Sequence, residues 1–92
     1  MEISVRVYGL LLSQVPQNPF SLDRPEGSTL ADLINYLAKA YGPQMEKILK
    51  PVGDSRFPLM IMVDSKEVRE DHDKVVLSPG AIVDLLSPMA GG

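Results

Sequence analysis

Residues 28–42 read STLADLINYLAKAYG, and the rest of the chain is best understood around them. Leu30, Leu33, Ile34, Leu37 and Tyr41 recur at helical spacing and form one apolar stripe. Ser28 or Thr29 can accept from the free N–H groups of a first turn. Asp32, three residues after Thr29, suits a capping box and the positive end of the helix dipole. Gly42 followed by Pro43 is a stop signal. This predicts one amphipathic helix with a single apolar side, which needs a sheet to lie on.

The flanking segments supply the strands. In ISVRVYGLLL (3–12), Ile3, Val5 and Val7 alternate with Ser4, Arg6 and Tyr8, the pattern of a half-buried strand. Gly9 marks a bulge or the strand's end. SQVPQNP (13–19) reads as a loop, because proline cannot donate to a ladder. FSLD (20–23) is a short second strand with Phe20 and Leu22 on one face, giving an antiparallel hairpin, and RPEG (24–27) is a turn.

Beyond the helix, QMEKILK (44–50) groups Met45, Ile48 and Leu49 as a short second helix. PLMIMVD (58–64) is a third strand, with Leu59, Ile61 and Val63 alternating with Met60 and Met62. DSK (64–66) is a tight turn and EV (67–68) starts a short return strand. REDHDKVVLSPG (69–80) reads as a surface stretch closed by Pro-Gly, and AIVDLL (81–86) as the last strand. Val83 and Leu85 lie opposite Ile82, Asp84 and Leu86. The order β-β-α-α-β-β-β predicts an α+β fold of the β-grasp, or ubiquitin-like, kind. It comprises a mixed sheet of four to five strands with one main helix across one face. Residues 1–92 form a single domain, with a flexible tail over 87–92.

Composition narrows the function. With 45% hydrophobic and 23% charged residues, the 92-residue chain is an ordinary globular sequence with one modest core. There is no cysteine, which excludes disulfides and thiolate metal sites. Nine basic residues face twelve acidic ones, without a basic stripe, which argues against nucleic-acid binding. No apolar run approaches the ~18 residues needed to cross a bilayer, and MEISVRV is no signal peptide. The expected compartment is the cytoplasm, with no membrane partner.

A search for side-chain chemistry finds little. His72, the only histidine, has acidic neighbours but no second ligand, and reads as a solvated residue. Glu67, Glu70, Asp71 and Asp73 lack the spacing and glycine of a calcium loop, so no metal site is expected. GDSR (53–56) faintly resembles an esterase nucleophile block but has no base to follow it. No glycine-rich phosphate cradle is present.

What remains is the closing stretch SPMAGG, 87–92. A terminal α-carboxyl has a pKa of about 3.3–3.7 and is an anion at neutral pH. As a poor electrophile it must be activated, for instance as an acyl-adenylate. Gly91 and Gly92 have no Cβ, so such an end fits a narrow channel. Pro88 stiffens the exit from the last strand, and the six residues could reach about 20 Å when extended.

Together, ISVRVYG, TLADLINYLAKAYG, LMIMVDSKEV and above all LSPGAIVDLLSPMAGG resemble the MoaD/ThiS family of ubiquitin-like sulfur carriers. The likeness is strongest to the branch that serves molybdopterin synthase. That family usually shows a Gly-Asp-x-Val turn and a Pro-Pro pair before the tail. Here the turn is GAIV, with Ala81 in place of Asp, and Ser87 replaces the first proline.

The resemblance implies that Gly92, beside Gly91, is adenylated and converted to a thiocarboxylate that donates sulfur in molybdenum cofactor biosynthesis. The chain would not be catalytic alone but a small subunit acting as sulfur donor. Its implied partners are the large subunit of molybdopterin synthase, a ubiquitin-activating-type adenylating enzyme and a sulfur donor enzyme. No cofactor is expected on the chain itself, ATP being used by the activating partner. Carriers for thiamine, cysteine or tRNA thiolation share this tail chemistry, as does a ubiquitin-like modifier joined through Gly92 to lysine. A β-grasp interaction domain with an idle tail is the fourth reading.

Strand parity adds a candidate docking face. Tyr8, Met60, Met62 and Leu86 are large and apolar, yet fall opposite the inferred core, on the helix-free side of the sheet. Methionine suits a surface that meets more than one partner. Pro88 and Met89 extend this partner-binding set into the tail, and Arg6 and Lys66 are expected at its rim.

Overall fold

The computed structural model describes residues 1–50 and 59–88. Strand β1 (Glu2–Tyr8) is followed by β2 (Phe20–Asp23), helix α1 (Leu30–Tyr41), helix α2 (Pro43–Leu49), β3 (Met60–Val63), β4 (Lys66–Glu67) and β5 (Ile82–Leu86). The strands form one sheet in the order β2-β1-β5-β3-β4. β1 and β5 pair in parallel, and the other described pairs are antiparallel. This mixed five-stranded sheet with its helix is a β-grasp, as the sequence predicts.

Alternation along the strands places the core. Ile3, Val5 and Val7 of β1, Ile61 of β3, and Val83 and Leu85 of β5 are buried against Leu30, Leu33, Ile34 and Leu37 of α1. Tyr41 is only partly covered and packs beside Phe20, with ring centroids 5.7 Å apart. Thr29 is the cap of α1. The Asp32 N–H donates to Thr29 Oγ1 at 3.1 Å, and the Thr29 N–H donates to Asp32 Oδ2 at 2.9 Å. A Thr29→Ala variant should lose about 1–2 kcal/mol in urea unfolding, and Thr29→Ser should recover most of it.

The Gly42-Pro43 stop ends α1 and also starts α2. Gly42 adopts φ +97, and Pro43 takes the first turn of α2, where its missing N–H costs nothing. Met45 and Leu49 from α2 are buried in the same core. The turn between β3 and β4 places both Asp64 (φ +50) and Ser65 (φ +71) in the left-handed region, the geometry of a two-residue hairpin.

Some expectations need correction. The apolar run after Gly9 does not extend β1: residues Gly9–Gln14 form a 3-10 helix that buries Leu11 and leaves Leu10 and Leu12 exposed. Stretch 69–80 is not wholly on the surface. Leu77 is buried, because its N–H donates to Ser28 O and the Leu30 N–H donates to Val75 O, tying this segment across the start of α1. The return strand is Lys66–Glu67. His72 is half-buried, and the GDSR motif at 53–56 lies outside the described residues. No helix among the described residues is long and apolar enough to cross a membrane.

Candidate functional site

The strand register assembles the open face of the sheet row by row. Tyr8 lies opposite Leu86, and Leu86 opposite Met60. In the next row Arg6 faces Asp84, which faces Met62, which faces Glu67. Ser4 faces Ile82. Tyr8, Met60, Met62 and Leu86 are therefore neighbours on one surface. Tyr8 and Met60 are 41% and 44% exposed, and Met62 and Leu86 are half-buried.

Polar groups occupy the centre of this face. Arg6 Nε donates to Asp84 Oδ1 at 2.6 Å and Arg6 Nη2 donates to Oδ2 at 2.9 Å, a two-pronged pair. Tyr8 Oη donates to Oδ1 at 3.3 Å. Hydrogen bonding from Arg6 holds the Asp84 carboxyl below its ordinary range, against a smaller opposing effect of burial, and Asp84 in turn raises the Arg6 guanidinium. Arg6 is thus not a rim residue but the paired middle of the face. Lys66, by contrast, is not on this face. It lies across from Val63, so the turn hands the open side to Glu67. Among the described residues no three His, Cys, Asp or Glu side chains gather as metal ligands.

At one end of this face the chain leaves the sheet. The Ser87 N–H donates to Tyr8 O at 3.2 Å, and Ser87 Oγ donates to the same oxygen at 2.6 Å. Ser87 Oγ also accepts from the Leu11 N–H at 3.0 Å, and Pro88 O accepts from the Leu10 N–H at 2.9 Å. The crossing is possible because position 9 is glycine. Gly9 has φ +72, and a Cβ there would sit 2.5 Å from Pro88 O and closer still to Ser87 O. Of the tail expected to be flexible, Ser87 and Pro88 are tied to the body. Met89, Gly91 and Gly92 lie outside the described residues.

Sequence reading grouped the apolar face but missed the Arg6–Asp84 pair, Gly9 and Ser87. Opposite charges at wet positions of the first and last strands were the available signal for the pair. Nothing local in the sequence announces Ser87, whose partners are 76 and 79 positions away.

Comparison with known proteins agrees with this geometry. The solution structure of the HVO 2177 protein of Haloferax volcanii superposes with a TM-score of 0.79 at 22% identity, covering 100% of this chain and 87% of that one. Small archaeal modifier protein 1 of Methanosarcina acetivorans gives 0.73 at 18% identity, covering 99% and 96%. A complex of subunits 1 and 2 of the molybdopterin-converting factor of Helicobacter pylori gives 0.60 at 20% identity, covering 100% of both chains. These likenesses establish the fold. No curated protein sequence matches the chain. The family model described as the ThiS family matches residues 6–92, through Gly91 and Gly92. Over nearly its whole length, then, the chain belongs to the ThiS family, the ubiquitin-like sulfur carriers that its sequence resembles.

Proposed function

We propose that the chain carries sulfur on Gly92 for molybdopterin biosynthesis. The observation that carries this reading is the extension of the family match through the closing Gly91–Gly92 pair. An ATP-using enzyme of the ubiquitin-activating type joins AMP to the Gly92 carboxylate and releases pyrophosphate. A sulfide-level sulfur, delivered by a sulfur donor enzyme, then attacks the acyl carbon. The C–S bond forms, the C–O bond to AMP breaks, and AMP leaves, giving a thiocarboxylate. In the active site of a large subunit the anionic sulfur attacks an activated carbon of a pterin precursor, the C–S bond forming as the activating group leaves that carbon. Water then cleaves the Gly92 acyl–sulfur bond, leaving the sulfur on the pterin and restoring the Gly92 carboxylate.

The chain's own residues bind and orient in this scheme. The open face of Tyr8, Met60, Met62 and Leu86, with Pro88 at the exit of the last strand, docks the partners, and Met89 belongs to the same partner-binding set. The likeness to a molybdopterin-converting factor complex supports the choice of acceptor. The chain needs no resident cofactor.

Intact mass tests the chemistry. Incubation with ATP, magnesium, the activating enzyme and sulfide should exchange one oxygen for sulfur on Gly92. A chain extended by one residue beyond Gly92 should show no exchange. Absence of any shift in the unextended chain rejects the carrier reading. Lysine-linked conjugates in a lysate would instead identify a protein modifier. Recovery of a large subunit of molybdopterin synthase on the unmodified chain would fix the pterin branch.

A further inference from the structure

We infer that Ser87 is a positioning residue: its hydroxyl caps the 3-10 helix at Gly9–Gln14 from across the chain and so fixes where the C-terminal segment leaves the body. What that segment delivers rests on the carrier reading above; the clamp itself does not.

The first N–H groups of any helix lack partners within it. A local Ser, Thr, Asp or Asn normally accepts from them. Here the residue at the cap position is Tyr8, whose side chain makes no capping bond. The Leu11 N–H is taken by Ser87 Oγ and the Leu10 N–H by Pro88 O. The helix is thus capped by residues 76 or more positions later in the sequence. Ser87 completes its own donor capacity by giving both its hydroxyl and its N–H to Tyr8 O. Four hydrogen bonds converge on two residues, on a backbone crossing that only Gly9 leaves room for.

Ser87 occupies the place where the resembled family carries the first of two prolines. Proline there would supply neither the N–H nor the hydroxyl. It would stiffen the exit without tying it down. This chain reaches a fixed exit by a different route, hydrogen bonding in place of ring restriction. With Pro88 anchored, only four residues remain to Gly92, a reach of about 13–14 Å at ~3.3–3.6 Å per residue. An activating site must therefore come within that distance of the Gly9–Leu10 backbone. The exposed Leu10 and Leu12 flank the same spot.

Amide exchange followed by NMR tests the clamp without any partner. In Ser87→Ala, exchange at Leu11 and at Leu10 should both accelerate about tenfold or more, because losing the hydroxyl frees Pro88 as well. Ser87→Thr, which keeps the hydroxyl, should restore protection at both. If only Leu11 accelerates, Pro88 stays seated without the hydroxyl and the positioning role is wrong. In ATP–pyrophosphate exchange with the activating enzyme, Ser87→Ala should raise the KM for the carrier about five- to thirtyfold, with kcat within about twofold. A KM within twofold of the parent overturns the functional half of the inference. Failure of the parent chain to support any exchange rejects the carrier reading instead, and the amide data then judge the clamp alone.

Discussion

A Gly9→Ala chain is expected to lose about 2–4 kcal/mol of stability and to let go of Ser87 and Pro88. Two effects add. Position 9 has φ +72, where an L side chain costs about 1–2 kcal/mol. The new methyl would also meet the carbonyl oxygens of Ser87 and Pro88 inside contact distance. Both obstacles are backbone atoms, so no rotamer change relieves them. Either the exit moves away and the bonds from Leu10 and Leu11 are lost, or the 3-10 helix moves and uncovers Leu11. Each lost hydrogen bond is worth about 0.5–1.5 kcal/mol.

Gly27 provides the control, because its φ is +86 but nothing lies within 4 Å of its Cβ position. Gly27→Ala should show the conformational penalty alone, about 1–2 kcal/mol. Urea unfolding of the two variants separates the terms. Equal losses at the two positions would mean that the crossing at Gly9 is not a close one in solution.

The contrast between these glycines shows where sequence reading runs out. Gly9 was visible as an interruption of alternation, which marks an end or a bulge. The reason for it lies in a backbone that returns 78 residues later. Helix α1 was legible because its signals are local: a stripe at 3.6-residue spacing, a box four residues long, and a Gly-Pro boundary. The parity of β1, β3 and β5 was legible because burial alternates with every residue. Leu10, Leu11 and Leu12 were not, since a short apolar run has no period to separate strand from 3-10 helix. Leu77 ends the three-residue apolar run Val75-Val76-Leu77, too short to carry a period that would mark which member is core. At the candidate site the same division holds. Face membership followed from parity, so Tyr8, Met60, Met62 and Leu86 came together as expected. Which residue meets which across the sheet depends on register, and the register between the first and last strands is set by the whole fold. That is why the pairing of Arg6 with Asp84 escaped, and why Lys66 was assigned to the face that Glu67 occupies.

Removing Asp84 should cost about 1–2 kcal/mol, and the loss should depend on pH in a defined direction. The Asp84 side chain is 6% exposed while that of Arg6 is 43% exposed. The carboxylate lies on the open face of the sheet and its guanidinium partner is half-exposed, so water screens the pair from one side. Its worth therefore falls between the ~0–1 kcal/mol of surface pairs and the ~3–5 kcal/mol lost on breaking fully buried ones.

Arg6→Ala leaves the carboxylate with the Tyr8 hydroxyl alone, so the Asp84 pKa should rise and the thermal midpoint should fall. Replacing both partners, as in Arg6→Met with Asp84→Leu, should cost less than the two single changes added together, because no half of the pair is stranded. Arg6 lowers the Asp84 pKa in the folded chain relative to the ordinary value of about 3.9. The folded state accordingly binds this proton less readily than the unfolded one. The contribution is fully present above pH ~4 and drains away as pH falls through the lower folded value. Urea midpoints should be insensitive to this pair between pH 7 and about 5, then drop more steeply in the parent than in Asp84→Asn. Parallel acid limbs for the two chains, or an Asp84 carboxyl that titrates by NMR at or above 3.9, would show that the guanidinium does not hold this carboxylate in solution.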